Sequence, residues 1–131
     1  MILLDTCVLI FDALTPEKLS APAKKAITQA YKKKQLCCSA ISLWEIAMLI
    51  QKKRLDPGID CETFLQILFD ARNIQVLDIN IPIAVLSTHH NDFKHFDPAD
   101  RLIVATALHH RASLVTPDSK ISDITGLLTI W

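Results

Sequence analysis

The sequence predicts an α/β fold, a three-layer α/β/α sandwich built on a mainly parallel sheet of about five strands. Short apolar runs alternate with segments that repeat apolar residues at helical spacing, which is typical of strand–helix–strand units. The runs are apolar throughout, as expected for parallel strands that helices cover on both faces. The chain has 131 residues, 50% of them hydrophobic, so residues 1–131 are predicted to form a single domain.

The first half of the chain predicts two strands and three helices. Residues 1–4 (MILL) form an apolar run that ends at Asp5 and Thr6. Residues 22–34 predict a helix with its apolar residues on one side, and residues 36–39 (LCCS) predict the second strand. Ser42 begins a helix that continues to about Lys53 and ends before the turn DPG at 56–58. Residues 62–72 predict the next helix.

The second half predicts three more strands and two more helices. Residues 75–79 (QVLDI) form the third strand, and residues 83–90 (IAVLSTHH) are predicted to be helical. Asp97 is a favoured residue before the first turn of a helix, Pro98 suits the first position, and Asp100 complements the helix dipole. These residues therefore begin an apolar helix. Residues 113–116 (SLVT) and 127–130 (LLTI) predict the last two strands.

The charge balance excludes a protein that coats nucleic acid through a general positive charge. Fourteen basic and fourteen acidic residues cancel, so a polyanion has to be met by a local patch. Clusters of cations at 32–34 and 52–54 stand near predicted helix ends, and solvated ends of this kind are common. The chain has two glycines and no glycine-rich loop, so we expect no cradle for the phosphates of a nucleotide.

The cysteines and the apolar runs predict a cytoplasmic protein that does not bind a membrane. Cys7, Cys37, Cys38 and Cys61 show no paired spacing, which favours free thiols in a reducing compartment. Cys37 and Cys38 are neighbours in a predicted strand, so their side chains should point to opposite faces of the sheet. No apolar stretch approaches the roughly 20 residues that a membrane span needs.

Four acidic residues are expected at one edge of the sheet. Asp5 follows the first strand and Asp118 follows the fourth, and the carboxyl ends of parallel strands share one edge. Glu45 and Asp100 each lie one turn into a helix that is predicted to begin at this edge. The sequence therefore predicts a cluster of carboxylates there.

Local explanations compete with this interpretation, and they differ in strength from one carboxylate to the next. Ser42 and Glu45 match a capping box, and Asp118 in TPDS suits a turn. Asp97 alone can cap the last long helix, which leaves Asp100 less well explained. Asp5 continues a buried strand, where a capping role is not expected and burial would cost several kcal/mol without a compensating partner.

A divalent cation would resolve the repulsion among such carboxylates. Oxygen ligands suit Mg²⁺ or Mn²⁺, whereas zinc prefers Cys and His. The adjacent histidines at 89–90 and 109–110 diverge on a helix, and HExxH spacing is missing from the sequence. No Ser or Cys stands in a nucleophile elbow. The remaining chemistry is attack by water assisted by a metal ion, with a phosphodiester as the natural polyanionic substrate.

Four segments of the chain form a recognisable set: LLDTCVLI at 3–10, SAISLWEIAML at 39–49, DPADRLIVATAL at 97–108 and LVTPDSKI at 114–121. Together they resemble the PIN domain family, and within it the VapC ribonuclease toxins of bacterial toxin–antitoxin pairs. The resemblance spans effectively the whole chain and implies a PIN-like fold. It also implies that Asp5, Glu45, Asp100 and Asp118 are the catalytic, metal-binding acids.

The resemblance assigns supporting roles to further residues. Thr6 and Thr116 stand where the family has hydroxyls that can orient the ligands. Arg101 follows Asp100 as in the family pattern and is open to two roles, an RNA phosphate contact or an ion pair at the helix start. We expect Arg101, Lys120 and the cations at 52–54 to border the pocket and to meet RNA. Many relatives have Phe at Ala99 and a small residue at Pro117, and neither difference removes a ligand.

The resulting expectation is a Mg²⁺- or Mn²⁺-dependent endoribonuclease that acts as a toxin. Two alternatives stay open: a housekeeping PIN nuclease for RNA processing, and a catalytically inactive PIN domain that serves as a binding module. The family implies a cognate antitoxin whose C-terminal segment wraps the helices and can place a basic side chain against the acids. It also implies a homodimer, for which Phe64, Leu68 and Trp44 are either interface or core residues.

Overall fold

The computed structural model describes residues 1–89, 93 and 96–131. Its strands are β1 (Ile2–Leu4), β2 (Leu36–Ser39), β3 (Gln75–Leu77), β4 (Ser113–Val115) and β5 (Thr129–Ile130). Its helices are α1 (Thr6–Leu14), α2 (Ala21–Lys32), α3 (Ile41–Gln51), α4 (Cys61–Ala71), α5 (Ile81–His89) and α6 (Pro98–His110). Short 3₁₀ turns lie at Pro16–Lys18 and Ile121–Asp123.

The five strands form one sheet in the order β3-β2-β1-β4-β5, and every pairing within it is parallel. The chain builds outward from β1 to β2 and β3, and later adds β4 and β5 on the other side. The direction of winding therefore reverses between β1 and β4. In open parallel sheets, ligands bind at the carboxyl ends of the strands beside such a reversal.

Helices cover both faces of the sheet, which confirms the predicted sandwich. Leu3, Cys37 and Leu114 belong to a core that α5 and α6 close, with Ile83 and Ile103 from these helices. The next residue in each of these strands points the other way, to a core closed by helices α1–α4; these residues are Leu4, Cys38 and Val115. Alternate residues of each strand thus pack into apolar cores on opposite faces of the sheet. Cys37 and Cys38 lie on opposite faces, as predicted. All four cysteines are free thiols.

Each predicted strand and helix is found, with ends that differ by at most two residues. The predicted helix at 83–90 is α5, and His90 lies outside the described residues. Helix α1 is absent from the sequence prediction. Its residues TCVLIFDAL continue the apolar run of β1 almost without a break, so Asp5 and Thr6 were interpreted only as the end of a strand. None of the helices in the described ranges is long and apolar enough to cross a membrane.

Four helices end in the same way, although none of them ends with glycine. Helices α2, α3, α4 and α6 are followed by Lys34, Lys53, Asn73 and Arg111, whose φ angles are 56°, 57°, 51° and 53°. The next backbone N–H then bonds a carbonyl five residues back, as Gln35 does to Ala30 (2.9 Å) and Arg54 does to Leu49 (2.9 Å). This arrangement is the Schellman motif. The cation clusters at 32–34 and 52–54 are thus exposed helix ends.

Candidate active site

The acidic residues meet at the carboxyl edge of the sheet, beside the reversal between β1 and β4. Asp5 follows β1, and its backbone N–H donates to the carbonyl of Val115 at the end of β4 (3.1 Å). Thr116 and Asp118 continue from β4. Helix α3 starts directly after β2, and Glu45 lies in its first two turns. The topology therefore places three of the four predicted acids at one edge.

Asp100 reaches the same edge by a different route from the one that the sequence suggested. Helix α6 follows α5 and not a strand. It ends at His110, three residues before β4 begins, so it runs back along β4 and must start at the carboxyl edge. Asp97 caps it as predicted, since its Oδ1 accepts from the N–H of Asp100 (2.8 Å).

Asp5 is buried, with 8% of its surface exposed, and both of its carboxylate oxygens are held. Oδ1 accepts from the backbone N–H of Thr6 (2.7 Å), and Oδ2 accepts from the hydroxyl of Thr116 (2.7 Å). Asp5 is also the residue that caps α1. The expectation that it has no capping role was wrong, because helix α1 was not predicted. The two bonds fix the orientation of the carboxylate.

Glu45 is held by Thr6 and not by a capping box. The Thr6 hydroxyl donates to Oε1 of Glu45 at 2.5 Å. Helix α3 begins at Ile41 after Ala40, which makes no side-chain cap, so Ser42 already lies inside the first turn. The hydroxyl of Ser39 accepts instead from the N–H of Ile41 (3.3 Å). The capping box is therefore excluded as the explanation of Glu45.

Asp118 forms a turn and lies close enough to Asp5 and Asp100 for its charge to act on them. Its Oδ1 accepts from the backbone N–H of Lys120 (3.0 Å), which is the bond of a turn. Its own N–H donates to the hydroxyl of Thr116 (3.1 Å), the same hydroxyl that holds Asp5. Its negative charge also raises the pKa of Asp5 and of Asp100. Asp118 is thus a turn residue whose charge acts on other acids of the cluster.

Burial and repulsion from neighbouring carboxylates raise the pKa values of Asp5, Glu45 and Asp100. Loss of hydration is the largest cause for Asp100, whose pKa rises to about 7, and the charges of Asp97, Asp5, Glu45 and Asp118 add to it. Burial likewise raises the pKa of Asp5, against the bonds from Thr116 and Thr6. For Glu45, burial raises the pKa and the Thr6 bond lowers it. A bound cation would favour the ionised forms of all these groups.

The donor set fits a hard divalent cation, although the side chains do not form a closed cage. In the part of the chain that the structure describes, no three His, Cys, Asp or Glu side chains stand close enough to enclose a metal ion. The acids are nevertheless near enough for their charges to raise the pKa values of Asp5, Glu45 and Asp100. An open set of carboxylates suits Mg²⁺ or Mn²⁺, which keep several waters and use few protein ligands.

The two predicted RNA-binding cations adjoin acids of this cluster along the chain: Arg101 follows Asp100, and Lys120 lies two residues after Asp118. The Nε of Arg101 donates to the backbone carbonyl of Phe96 (2.9 Å), which ties the side chain to the segment before α6. No carboxylate within residues 1–89, 93 and 96–131 forms an ion pair with Arg101. Lys120 is exposed, and its backbone N–H binds Asp118. The cations at 52–54 follow α3 about two turns beyond Glu45.

Sequence reasoning missed two contributors to the site. It gave Asp97 a capping role only, yet the Asp97 charge raises the pKa of Asp100, Asp5 and Glu45. The spacing of Asp97 and Asp100, one helical turn apart, was a signal that could have revealed it. It gave Ser42 only the capping box, whereas its hydroxyl is completely buried and bonds the hydroxyl of Thr6. No pattern in the sequence links Ser42 to Thr6, which lies 36 positions earlier.

Known proteins resemble the chain over almost its whole length. The family model of the PIN domain matches residues 2–127, which include all four acids. The chain belongs to the PIN domain family. A relative named Ribonuclease VapC22, from Mycobacterium tuberculosis, is 34% identical over 120 residues, which are 92% of this chain and 88% of that protein. The resemblance that the four sequence segments suggested is therefore confirmed.

Solved structures share the PIN fold at lower identity. A crystal structure of VapBC2 from Rickettsia felis, bound to a DNA fragment from their promoter, matches with a TM-score of 0.76 at 18% identity. The match covers 98% of this chain and 97% of that one. A toxin–antitoxin complex from Klebsiella pneumoniae matches with a TM-score of 0.69 at 23% identity, over the same shares of the two chains. PIN-domain ribonucleases generally depend on a divalent metal ion.

Proposed function

We propose that this chain is a metal-dependent endoribonuclease, the toxin of a toxin–antitoxin pair. The observation that carries the proposal is the cluster of Asp5, Glu45, Asp100 and Asp118 at the topological reversal of a PIN-domain sheet. The 34% identity to a protein named as a VapC ribonuclease supports RNA as the substrate. The matches to toxin–antitoxin complexes support the toxin role.

Mg²⁺ or Mn²⁺ is the proposed cofactor, with Asp5, Glu45 and Asp100 as its principal ligands and Asp118 bound directly or through water. When bound, a divalent cation activates water and neutralises charge on the phosphodiester. The chain's own contribution is orientation. Thr116 and the Thr6 N–H hold Asp5, and the Thr6 hydroxyl holds Glu45. Held carboxylates lose little entropy when they bind a cation or align a substrate.

The protein has no net charge and the centre of its site is negative. Attraction of RNA therefore has to come from cations around the acidic cluster. We assign this role to Arg101 and Lys120, which stand next to Asp100 and the Asp118 turn. Arg101 keeps its terminal guanidinium nitrogens for phosphate, since only its Nε binds Phe96 among the described residues. Arg is suited to phosphate because its planar donors can bind two oxygens at once.

The partners and the location follow from the same proposal. An antitoxin is the expected protein partner, as in the complexes that share the fold. A homodimer is also proposed: Phe64 and Leu68 are buried in the core, whereas Trp44 on α3 is 56% exposed and can supply an interface. The four free thiols suit the reducing cytoplasm.

Replacing Asp5 by Asn tests the function. The amide keeps the shape but loses the charge, so Mg²⁺- or Mn²⁺-dependent cleavage of RNA should fall by about a hundredfold or more. The measurement is cleavage of total bacterial RNA by purified protein, with and without chelator. Asp123→Asn, an exposed aspartate beyond the Asp118 turn, is the matched control and should cleave like the wild type. Full activity of a folded Asp5→Asn protein would refute the mechanism.

A metal titration separates the toxin from an inactive PIN domain. Binding of Mn²⁺ to the folded chain should raise its melting temperature by mass action, whether or not RNA is cut. A nuclease shows both the shift and the cleavage. A housekeeping nuclease would share both results, and a small neighbouring reading frame that encodes a DNA-binding antitoxin distinguishes the toxin from it.

A further inference from the structure

The hydroxyl of Ser42 is buried beside the acidic cluster and has no task in the helix that carries it. Its residue is 0% exposed, and its partner among the described residues is the Thr6 hydroxyl, 2.8 Å away and 36 positions earlier in the chain. Ser39 binds the first N–H of α3 in its place. The Ser42 hydroxyl therefore links helix α3 to the first residue of helix α1.

Counting protons gives this pair of hydroxyls a direction. Each hydroxyl carries one proton, and an ionised carboxylate can only accept. The Thr6 hydroxyl donates to Oε1 of Glu45, so its proton is used in that bond. The proton between Ser42 and Thr6 must then come from Ser42. The result is a chain of donors that runs from Ser42 through Thr6 to Glu45.

We propose that Ser42 is a positioning residue that acts through Thr6 to hold the Glu45 carboxylate ready for a divalent cation. The inference rests on the proposed metal-dependent function. The Ser42 hydroxyl occupies a lone pair of the Thr6 oxygen and thereby sets the rotation of the Thr6 O–H toward Glu45. Oε1 of Glu45 is fixed in this way, while Oε2 has no hydrogen-bond partner among the described residues and can face the cation.

The hydrogen bond from Thr6 also counters electrostatic repulsion on Glu45. Asp5 and Asp97 repel Glu45, and α3 leaves this side chain only half-buried. Thr6 is suited to hold it because its backbone N–H also binds Asp5. One residue therefore joins the two carboxylates, and Ser42 determines which way its hydroxyl points.

The test is the affinity of the metal-free protein for Mn²⁺, measured by calorimetry. Residues that orient metal ligands typically contribute about 10- to 100-fold in affinity, so Thr6→Val should weaken binding about tenfold. Ser42→Ala acts one step further away and should weaken it roughly three- to tenfold. Ser87→Ala is the matched control: Ser87 is also buried, and its hydroxyl binds the Ala84 carbonyl of α5, so Mn²⁺ affinity should not change.

A double-mutant cycle shows whether Ser42 acts through Thr6. In a Thr6→Val background no hydroxyl remains to be oriented, so Ser42→Ala should have no further effect. In a Thr6→Ser background the hydroxyl is kept, and Ser42→Ala should weaken binding again. Ser42→Cys fills the cavity that Ala leaves but donates poorly, so it should bind Mn²⁺ as weakly as Ser42→Ala.

Two results would overturn the inference. Unchanged Mn²⁺ affinity in both Ser42 variants would show that the hydroxyl only fills space, while leaving the nuclease proposal intact. Equal losses from Ser42→Ala in the wild-type and Thr6→Val backgrounds would show that it acts by another route. A wild-type protein that neither binds Mn²⁺ nor cuts RNA would instead refute the proposed function, and this inference with it.

Discussion

At the scale of single residues, Asp100 is the acid of the cluster whose negative charge is least stabilised by hydrogen bonds in the metal-free protein. Asp5 receives donors on both oxygens, and Glu45 receives one from Thr6, but the described contacts of Asp100 place no donor on its carboxylate. Burial and four neighbouring negative charges raise its pKa to about 7. The dipole of α6 offsets only part of this, because first-turn carboxylates typically gain less than about 1 kcal/mol.

The stability of the metal-free protein should therefore fall as the pH rises from about 4 to about 7. In this range Asp100 is ionised in the unfolded chain, with a pKa of 3.8, but protonated in the folded one, with a pKa of about 7. Raising the pH thus favours unfolding until both states are ionised. Asp100→Asn should remove this contribution and stabilise the metal-free protein at pH 8 on the order of 1 kcal/mol.

Urea unfolding at pH 4 and pH 8, with chelator present, checks this prediction. The two proteins should be nearly equal at pH 4, where Asp100 is neutral in the folded state. Saturating Mg²⁺ should reverse the order at pH 8, because the wild type gains binding energy that the variant lacks. A wild type that is more stable than Asp100→Asn at pH 8 in chelator would contradict the assignment.

At the scale of elements, the helix ends depend on backbone conformations that their residues do not favour. Lys34, Lys53 and Arg111 adopt the left-handed conformation, in which a Cβ is strained by about 1–2 kcal/mol. Asn73 tolerates this conformation better. The bonds that close these ends connect α2, α3, α4 and α6 to the segments after them. The motif therefore determines how the chain leaves each helix without glycine: α2, α4 and α6 lead to strands, and α3 leads to α4.

Replacing Lys53 by Gly should stabilise the protein by about 0.5–1 kcal/mol. Glycine removes the strain at φ 57° but adds freedom to the unfolded chain, so only part of the strain is recovered. Lys52→Gly is a matched control, because Lys52 has φ −80° and ψ 4° and gains nothing from glycine. Both variants lose one exposed positive charge. Urea unfolding should show the two midpoints moving in opposite directions, and parallel shifts would count against the explanation.

At the scale of the whole molecule, the chain leaves apolar side chains on the surface of its helices. Trp44 on α3 is 56% exposed, and on α5 Ile81 is 80% and Val85 is 51% exposed. Scattered apolar residues are normal on a protein surface, but large aromatic side chains are enriched where proteins meet. This observation supports the proposed dimer.

Sedimentation at micromolar concentration should show a species of about twice the 14.7 kDa chain mass. Trp44→Ala should shift the equilibrium toward the monomer by about tenfold or more, as loss of a buried aromatic anchor does. Trp131→Ala removes another partly exposed tryptophan and serves as the control. A wild type found only as a monomer would refute the dimer.

The antitoxin prediction also belongs to the whole molecule, since it couples two binding events. A basic side chain of the antitoxin placed against the acids would substitute for the charge of the metal. Binding of the antitoxin peptide and of Mn²⁺ should then weaken each other by the same factor. Calorimetry of the cognate C-terminal peptide, with and without saturating Mn²⁺, measures this factor. Equal affinities in the two titrations would mean that the antitoxin covers the path of the RNA instead.

Much of the fold could be predicted from the sequence because its signals are local. A few neighbouring residues suffice to recognise the apolar runs at β1, β2 and β4. The same is true of the start of α6, with Asp97 as its cap and Pro98 as its first residue. Parallel pairing followed from runs buried on both faces. Helix α1 could not be separated from β1, because periodicity does not distinguish a short buried strand from the apolar helix that follows it directly.

The sequence by itself determined the α/β class, and four of its segments identified the PIN family, which a family model and a 34% identical relative confirm. It also proposed Asp5, Glu45, Asp100 and Asp118 as the site. Only the tertiary structure decided how they are held. Thr116 bonds Asp5 across 111 positions and Thr6 bonds Glu45 across 39. Hydrogen bonds over such separations leave no periodic pattern in a sequence, because they depend on the strand order that brings distant segments to one edge of the sheet.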